Sequence, residues 1–135
     1  MHTVTPYLVV DGAQQLIDFL RQAFGAVEVH SSLKSDGRIM HAQVRIGDSV
    51  VMISDATPEC RLGPAMLHLY VPDVDAMYAS AVAAGGTPLR APADQFYGDR
   101  SGGVQDPLGN QWWMATHVED VSLEEMERRV KAMGR

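Results

Sequence analysis

Apolar residues in the first half of the chain recur at two different spacings. Between Leu16 and Phe24 they return every three to four positions, which predicts an amphipathic helix that ends at Gly25. Residues 5–10, 27–33, 39–46 and 50–54 are short segments that are β-branched or alternate between apolar and polar, which predicts strands. The predicted order is therefore β-α-β-β-β.

The second half of the chain repeats this order at a constant offset. Asp11 and Asp73 precede the two predicted helices, and Gly47 and Gly109 precede the last strand of each half at the same offset. Asp73 is predicted to be the N-cap of its helix. The predicted elements of this half are a helix at 73–84 and strands at 66–71, 87–91, 95–105 and 111–116.

Two such copies predict one domain of the α+β class, with two βαβββ modules in tandem whose mixed sheet curls around a cleft. Module one covers about residues 4–55 and module two about 65–117; the segment 56–64, which contains two prolines and a glycine, is interpreted as a linker. Ser122-Leu123-Glu124-Glu125 has the pattern of a capping box and predicts a C-terminal helix at about 122–133. We expect that helix to pack on the domain or on a partner subunit.

Composition narrows the class of protein further. The 135 residues are 46% hydrophobic and 21% charged, which is typical of a chain that buries a core. A net charge of −6 argues against a nucleic-acid partner. The apolar runs are too short to span a bilayer, no signal peptide is visible, and Cys60 has no second cysteine to pair with. We expect a cytoplasmic protein with no membrane partner.

Trp112 and Trp113 are the most informative candidate binding residues. Neighbours on a strand point to opposite faces, so one ring is expected in the core and the other on the concave surface, where it offers stacking area to a flat ligand. The alternative that both rings only pack in the core or an interface stays open. His68 alternates with Met66 and Tyr70 and is expected on the concave side, as a wall residue, a ligand contact, a catalytic group or a metal ligand.

Metal and phosphate chemistry have less support. No two of the five histidines have ligand spacing within one element, so a metal site would need residues from distant strands. Residues 98–103 resemble a phosphate-binding loop only in glycine content and are interpreted as a hairpin turn, in which Arg100 remains a candidate contact for an anionic group.

Several of these segments resemble the vicinal oxygen chelate superfamily, which includes glyoxalase I, bleomycin-resistance proteins, fosfomycin-resistance enzymes and ring-cleaving dioxygenases. The resemblance rests on the doubled unit, on residues 5–10 and 17–26, and on the turn Asp106-Pro107-Leu108-Gly109-Asn110. Phe96-Tyr97-Gly98-Asp99-Arg100 and the segment 116–121 are similar to the PhnB-like subgroup. The resemblance to the superfamily implies two modules around a cleft, usually in a dimer.

The resemblance also implies metal ligands on the first and last strands of each module. The corresponding positions hold Thr5, Val51, Met66 and Trp113, and none of these offers a carboxylate or an imidazole. We therefore expect no metal and no other cofactor. This pattern is similar to the metal-free bleomycin-resistance proteins, which sequester a drug in a dimeric, aromatic-lined cleft.

The expected function is binding or sequestration of an aromatic or peptide-like compound, such as an antibiotic, by a metal-free homodimer. The expected ligand-binding residues are Tyr7, His41, His68, Tyr97, Arg100 and Trp113. Two alternatives stay open. One is an enzyme of the same fold, of lyase, isomerase or transferase type, that uses His, Tyr and Arg groups of the cleft or an unusual metal. The other is a structural or regulatory dimer whose cleft is incidental.

Overall fold

The computed structural model describes residues 2–134, which fold into two successive β-α-β-β-β units and a last helix. The first unit comprises β1 (Tyr7–Val10), α1 (Ala13–Phe24), β2 (Val27–Leu33), β3 (Ile39–Ile46) and β4 (Ser49–Asp55). The second comprises β5 (Met66–Tyr70), α2 (Val74–Ala83), β6 (Thr87–Asp94), β7 (Asp99–Gln105) and β8 (Gln111–His117). The last helix is α3 (Leu123–Ala132).

Each unit forms its own four-stranded mixed sheet. The strand orders are β1-β4-β3-β2 and β5-β8-β7-β6. The first and last strands of each unit run parallel, and the remaining neighbours are antiparallel. The predicted α+β class, with tandem modules and a C-terminal helix, is confirmed.

One hydrophobic core joins the two modules. Helix α1 packs on β3 and β4, helix α2 packs on β6, β7 and β8, and the two helices pack against each other. Where the modules meet, the ring of Phe24 lies 5.3 Å from that of the fully buried Trp112. The helix-facing sides of both sheets therefore share one interior, which one module alone could not close.

Strand alternation leaves the other side of each sheet without a helix. Register places Tyr7 beside Met52 and Gln43 on the first sheet, and His68 beside Trp113 on the second. We call these sides the first open face, defined by Tyr7, His41, Gln43 and Met52, and the second open face, defined by His68, Tyr70, Arg90 and Trp113. They are the surfaces on which binding chemistry can be displayed.

The hairpin between β6 and β7 differs from the prediction. β6 continues through Pro88 and Pro92, which an edge strand tolerates because its outer N–H groups need no partner. The turn lies at residues 95–98, closed by the bond from the Gly98 N–H to the Gln95 carbonyl. The interpretation of residues 98–103 as a hairpin turn was therefore wrong, because 99–103 belong to β7.

The glycines of β7 serve close packing instead of a turn. A Cβ on Gly102 would lie 2.9 Å from the Arg90 carbonyl oxygen, and one on Gly103 would lie 2.6 Å from ring atoms of Trp113. Neither glycine has a positive φ angle. They are required because backbone and an indole ring approach them closely.

Helix α3 is attached through its polar side chains. The Ser122 hydroxyl accepts a hydrogen bond from the Glu125 N–H at 3.1 Å, as a capping box predicts, while the Glu125 carboxylate pairs with Arg128 and Arg129. Arg129 also donates to the carbonyl of Phe96 at 3.1 Å, which ties α3 to the β6–β7 turn. None of the helices within residues 2–134 is long and apolar enough to cross a membrane.

Asp55, at the end of β4, joins three segments of the first module. Its carboxylate accepts hydrogen bonds from the N–H groups of Gly12 and Ala13, at 3.2 and 2.9 Å, and of Ile39 at 2.7 Å. Helix α1 has Gly12 at its N-cap position and no side-chain cap of its own, so Asp55 supplies the cap from another strand. Burial opposes ionisation, but the three N–H donors outweigh it and lower the pKa of Asp55.

Replacing Asp55 with asparagine should destabilise the protein by about 1–2 kcal/mol at neutral pH, because one oxygen acceptor becomes an amide donor. The folded-state pKa lies below the unfolded value, so this stabilisation is present above pH ~4 and is lost as the pH falls through the folded pKa. The free energies of unfolding of wild type and Asp55→Asn, measured with urea, should therefore become equal in acid. The exposed Asp48, which accepts from the Ser49 hydroxyl, provides the control Asp48→Asn. A constant difference at all pH values would contradict the assignment.

Candidate functional site

A cleft of about 790 Å³ lies between the two modules. Its walls come from the N-terminal segment, the β3–β4 turn and both sides of β5. Most of the lining is apolar, including Phe24, Ile46, Val50, Leu67, Leu69 and Trp112. His68 and Tyr70 also line it, so the cleft adjoins the second open face and has room for a small organic molecule.

Trp112 and Trp113 occupy opposite faces of β8, as alternation predicts. Trp112 is fully buried against Phe24, and its indole N–H donates to the Asp106 carboxylate at 2.8 Å. Trp113 is half-buried on the second open face, and its N–H donates to the Gln111 side chain at 3.1 Å. One ring is therefore part of the core, and its neighbour is available at the surface.

The Trp113 ring is held in one position by the residues around it. It packs closely against the backbone of Gly103, the residue opposite it on β7. The Arg90 guanidinium carbon lies 4.9 Å from the ring centroid, a cation–π distance, and one of its amino groups donates to the Ser101 hydroxyl. Trp113 is thus a preorganised aromatic ring, with Gly103 against it and the Arg90 cation over it.

Register corrects one position taken from the family resemblance. Val51 is 4% exposed and lies in the core, so it cannot correspond to the outward-facing Trp113. Met52, paired with Tyr7, occupies the matching position on the first sheet. The outward-facing pairs of first and last strands are therefore Tyr7 with Met52 and His68 with Trp113.

The first open face carries a short polar cluster. The Tyr7 hydroxyl lies 3.2 Å from His41 Nδ1, and the Gln43 side-chain nitrogen lies 3.3 Å from His41 Nε2. None of the hydrogen bonds or ring contacts made by residues 2–134 joins this cluster to the second open face. The single chain therefore holds its expected binding residues in two separate groups.

A charged cluster lies where the second open face ends. The carboxylate of Asp99, only 5% exposed, accepts from the Tyr70 hydroxyl at 3.0 Å and lies 3.1 Å from His117 Nδ1. His117 Nε2 lies 2.8 Å from the Asp120 carboxylate. The hydrogen bonds to Asp99 and Asp120 raise the pKa of His117, and the bond to Asp99 raises the pKa of Tyr70. The Asp99 carboxylate therefore already has two hydrogen-bonding partners within the protein, Tyr70 and His117.

Arg100 is separated from the Trp113 face. Its guanidinium donates to Asp75 of α2 at 2.9 and 3.0 Å and to Asp94 at 3.3 Å, which places it on the helix side of the sheet. These two carboxylates raise the pKa of Arg100. Tyr97 lies in the β6–β7 turn, with its ring edge-on to Phe96. Of the six expected residues, the structure pairs Tyr7 with His41 and His68 with Trp113, and leaves Arg100 on the opposite face.

Sequence analysis did not identify Arg90. β6 pairs with β7 through two register irregularities, one on either side of Arg90. Each irregularity breaks the alternation by which a residue is assigned to a face, so spacing alone could not place it. Gly103 was missed for a related reason, because its role depends on which residue lies opposite it.

The described residues contain no set of donors suited to a metal ion. Within residues 2–134 no three His, Cys, Asp or Glu side chains come close enough together to hold one. The two outward-facing pairs offer one imidazole, one phenol, one thioether and one indole. Divalent cations that prefer carboxylates or several imidazoles do not fit this set.

Comparison with known proteins identifies related chains. The family model described as "Glyoxalase/Bleomycin resistance protein/Dioxygenase superfamily" matches residues 1–114. An uncharacterized protein of Mycobacterium bovis is 37% identical, over 97% of this chain and 93% of its own length. A similar protein of Mycobacterium tuberculosis is also 37% identical, over 97% of this chain and 84% of its own length.

Solved structures show the same fold. TioX from a Micromonospora species superposes with a TM-score of 0.74 at 24% identity, covering 87% of this chain and all (100%) of that one. The PhnB protein from Bacillus cereus superposes with a TM-score of 0.68 at 18% identity, covering 85% of this chain and 99% of that one. At these identities the similarity establishes the architecture, and the site must be argued from its own residues.

The two tryptophans should respond differently to truncation. Trp112→Ala should lower the free energy of unfolding by about 3–5 kcal/mol, because it empties a core position and removes one of the four hydrogen-bond donors to the buried Asp106 carboxylate. Trp113→Ala should lower the free energy of unfolding by only about 1 kcal/mol, because that ring is half-buried on a sheet face. Urea denaturation followed by circular dichroism measures both. Equal losses would contradict the assignment of the two rings to opposite faces.

Proposed function

The chain belongs to the glyoxalase/bleomycin resistance protein/dioxygenase superfamily, and on this basis we propose that it is a metal-free small-molecule binding protein of the bleomycin-resistance type. It binds or sequesters an aromatic or peptide-like compound, such as an antibiotic. The observation that carries the proposal is the Trp113 ring, held against Gly103 on a sheet face that no helix covers.

The second open face and the cleft together supply what a flat ligand needs. Trp113 offers stacking area at little entropic cost because Gly103, Gln111 and Arg90 already fix its orientation. The adjoining cleft is apolar and measures about 790 Å³, which suits the remainder of a drug-sized molecule. His68 and Tyr70, which line the cleft, provide hydrogen-bonding groups.

Binding without a metal is supported by the donors that face outward. At the positions where the resemblance implies metal ligands, this chain has Thr5, Met66, Trp113 and, after the register correction, Met52. The outward-facing pairs at these strands are Tyr7 with Met52 and His68 with Trp113. A thioether and an indole do not coordinate a hard divalent ion, and one imidazole is too few. We therefore assign these positions to ligand contact.

We also propose that the protein is a homodimer whose partner covers the open faces. Large apolar side chains are unusually exposed there: Tyr70 is 71% and Met66 67% exposed on β5, and Tyr7 is 44% exposed on β1. Exposed apolar patches of this kind mark interaction surfaces. A second copy could bring the Tyr7–His41 group of one chain toward the His68–Trp113 group of the other, which a single chain keeps apart.

The proposed location is the cytoplasm, because the only cysteine is exposed and has no partner with which to form an internal disulfide. The proposed role is to lower the free concentration of a toxic compound inside the cell.

An enzyme of the same fold is the second candidate function. It is favoured by the Tyr7–His41 hydrogen bond, in which a phenol and an imidazole lie 3.2 Å apart on an open face. Such a pair can transfer a proton to or from a bound molecule. Recovery of the bound compound unchanged after prolonged incubation supports binding alone, whereas a new product supports the enzyme.

The binding proposal can be tested with naphthalene-2-carboxamide, a flat and neutral aromatic probe. Titration should shift the indole Nε1–H resonance of Trp113 in ¹⁵N-labelled protein more than that of Trp112, whose N–H is bonded to the buried Asp106 carboxylate. Trp113→Ala should weaken probe affinity about tenfold or more, because a stacking partner is lost; this affinity is followed by calorimetry.

Gly103→Ala is the matched variant for this test. It keeps the indole but adds a Cβ that would lie 2.6 Å from the ring, so it should displace Trp113 and also weaken binding. Dialysis against EDTA should leave the affinity unchanged. Normal binding by both variants, or loss of binding after EDTA, would contradict the proposal.

The dimer is tested by static light scattering at micromolar concentration, where the mass should be twice the 14.7 kDa of the chain. Met66→Glu should yield monomers, because it places a charge on the exposed edge of β5. Leu123→Glu, at a 78% exposed site on α3 outside the open faces, should stay dimeric. A wild-type mass equal to one chain would contradict the dimer.

A further inference from the structure

The charge beside Trp113 narrows the class of compound that this site would accept. We propose that the second open face selects planar aromatic ligands carrying an anionic group, with the ligand ring stacked on the exposed part of Trp113 and the anion bound by the guanidinium of Arg90, which lies over the same indole. This inference rests on the proposed binding function and adds a specificity-determining residue to it.

Arg90 differs from most other arginines of the chain in having no carboxylate partner. No Asp or Glu oxygen within residues 2–134 lies within 4.0 Å of its guanidinium nitrogens. Ion pairs to carboxylates are formed by Arg21, Arg61, Arg100, Arg128 and Arg129. In a chain of net charge −6, an arginine on a binding face with no acidic neighbour is left available for an external anion.

The guanidinium of Arg90 also has donors to spare. It carries five N–H groups, and one hydrogen bond, to the Ser101 hydroxyl, is formed with the described residues. That bond and the 4.9 Å approach to the Trp113 ring fix the orientation of the planar group. A fixed guanidinium with free N–H groups can bind a carboxylate through two parallel hydrogen bonds.

Two acidic groups of β6 and β7, the strands that carry Arg90 and Ser101, already have partners. Asp99 is bonded to Tyr70 and His117, and Asp94 is bonded to Arg100 on the other side of the sheet. Each of these carboxylates therefore competes only in part with a ligand anion for the guanidinium of Arg90. The geometry favours an anion attached directly to the stacked ring, since the guanidinium carbon and the indole centroid are only 4.9 Å apart.

The test compares naphthalene-2-carboxylate with naphthalene-2-carboxamide, which have the same ring and nearly the same shape. Affinities come from the shift of the Trp113 Nε1–H resonance, and circular dichroism of each variant checks that it is folded. Wild type should bind the acid about tenfold or more tightly than the amide, as expected for a charge-assisted pair. Increasing the NaCl concentration should weaken binding of the acid and leave binding of the amide unchanged.

Arg90→Gln should remove the preference for the acid. Its affinity for the acid should fall about tenfold, and its affinity for the amide less than about twofold. Arg90→Lys should retain part of the preference, because the charge remains without the planar fork. Arg21→Gln is the matched control: it removes the same charge from a half-exposed arginine on α1, away from the face. It should bind both probes as wild type does.

Three outcomes would overturn the inference. If wild type binds acid and amide equally, Arg90 does not recognise anions. If Arg90→Gln weakens both probes equally, Arg90 only orients the Trp113 ring. Both results leave the proposed binding function intact. If neither probe shifts the Trp113 resonance of wild type, both the inference and the proposed function fail.

Discussion

The hydrogen bond between the Trp112 indole and the buried Asp106 carboxylate fixes which side chains of β8 face the core. The rest of the candidate site depends on this orientation. Asp106 is 3% exposed and also accepts from the backbone N–H groups of Leu108 and Asn110 and from the Asn110 side chain. A buried carboxylate left without these donors would be costly, so the turn and the Trp112 ring are fixed together. Because strand neighbours alternate, a buried Trp112 obliges Trp113 to face outward.

The same alternation explains why the two modules need each other and yet leave surface uncovered. Each module has one helix, and one helix can cover one side of a four-stranded sheet. Packing α1 against α2, and Phe24 against Trp112, closes the helix sides into one core. The opposite sides keep large side chains such as Tyr70 and Met66 exposed, which is why we propose a second chain and a ligand there.

Two arginines of the second module show how charge is distributed across its sheet. Arg100 lies on the helix side, where Asp75 and Asp94 compensate its charge, so it stabilises the fold locally. Arg90 lies on the open side beside Trp113, with no carboxylate within ion-pair distance among the described residues. The sheet thus keeps its paired cation on the covered side and its unpaired cation on the side that we assign to ligand binding.

The sequence by itself determined the elements whose signals are local. Helical spacing in α1 with Gly25 after it, the Asp73 N-cap of α2 and the alternation of β3 act within a few residues, and all are observed. The strand predicted at β2 also forms, although its side chains are nearly all exposed. Only the tertiary structure decided which face β6 presents, where its hairpin turns, and that Met52 instead of Val51 faces outward with Tyr7. Those outcomes depend on strand register and on residues such as Gly103 and Trp113, which become neighbours only when separate strands pair.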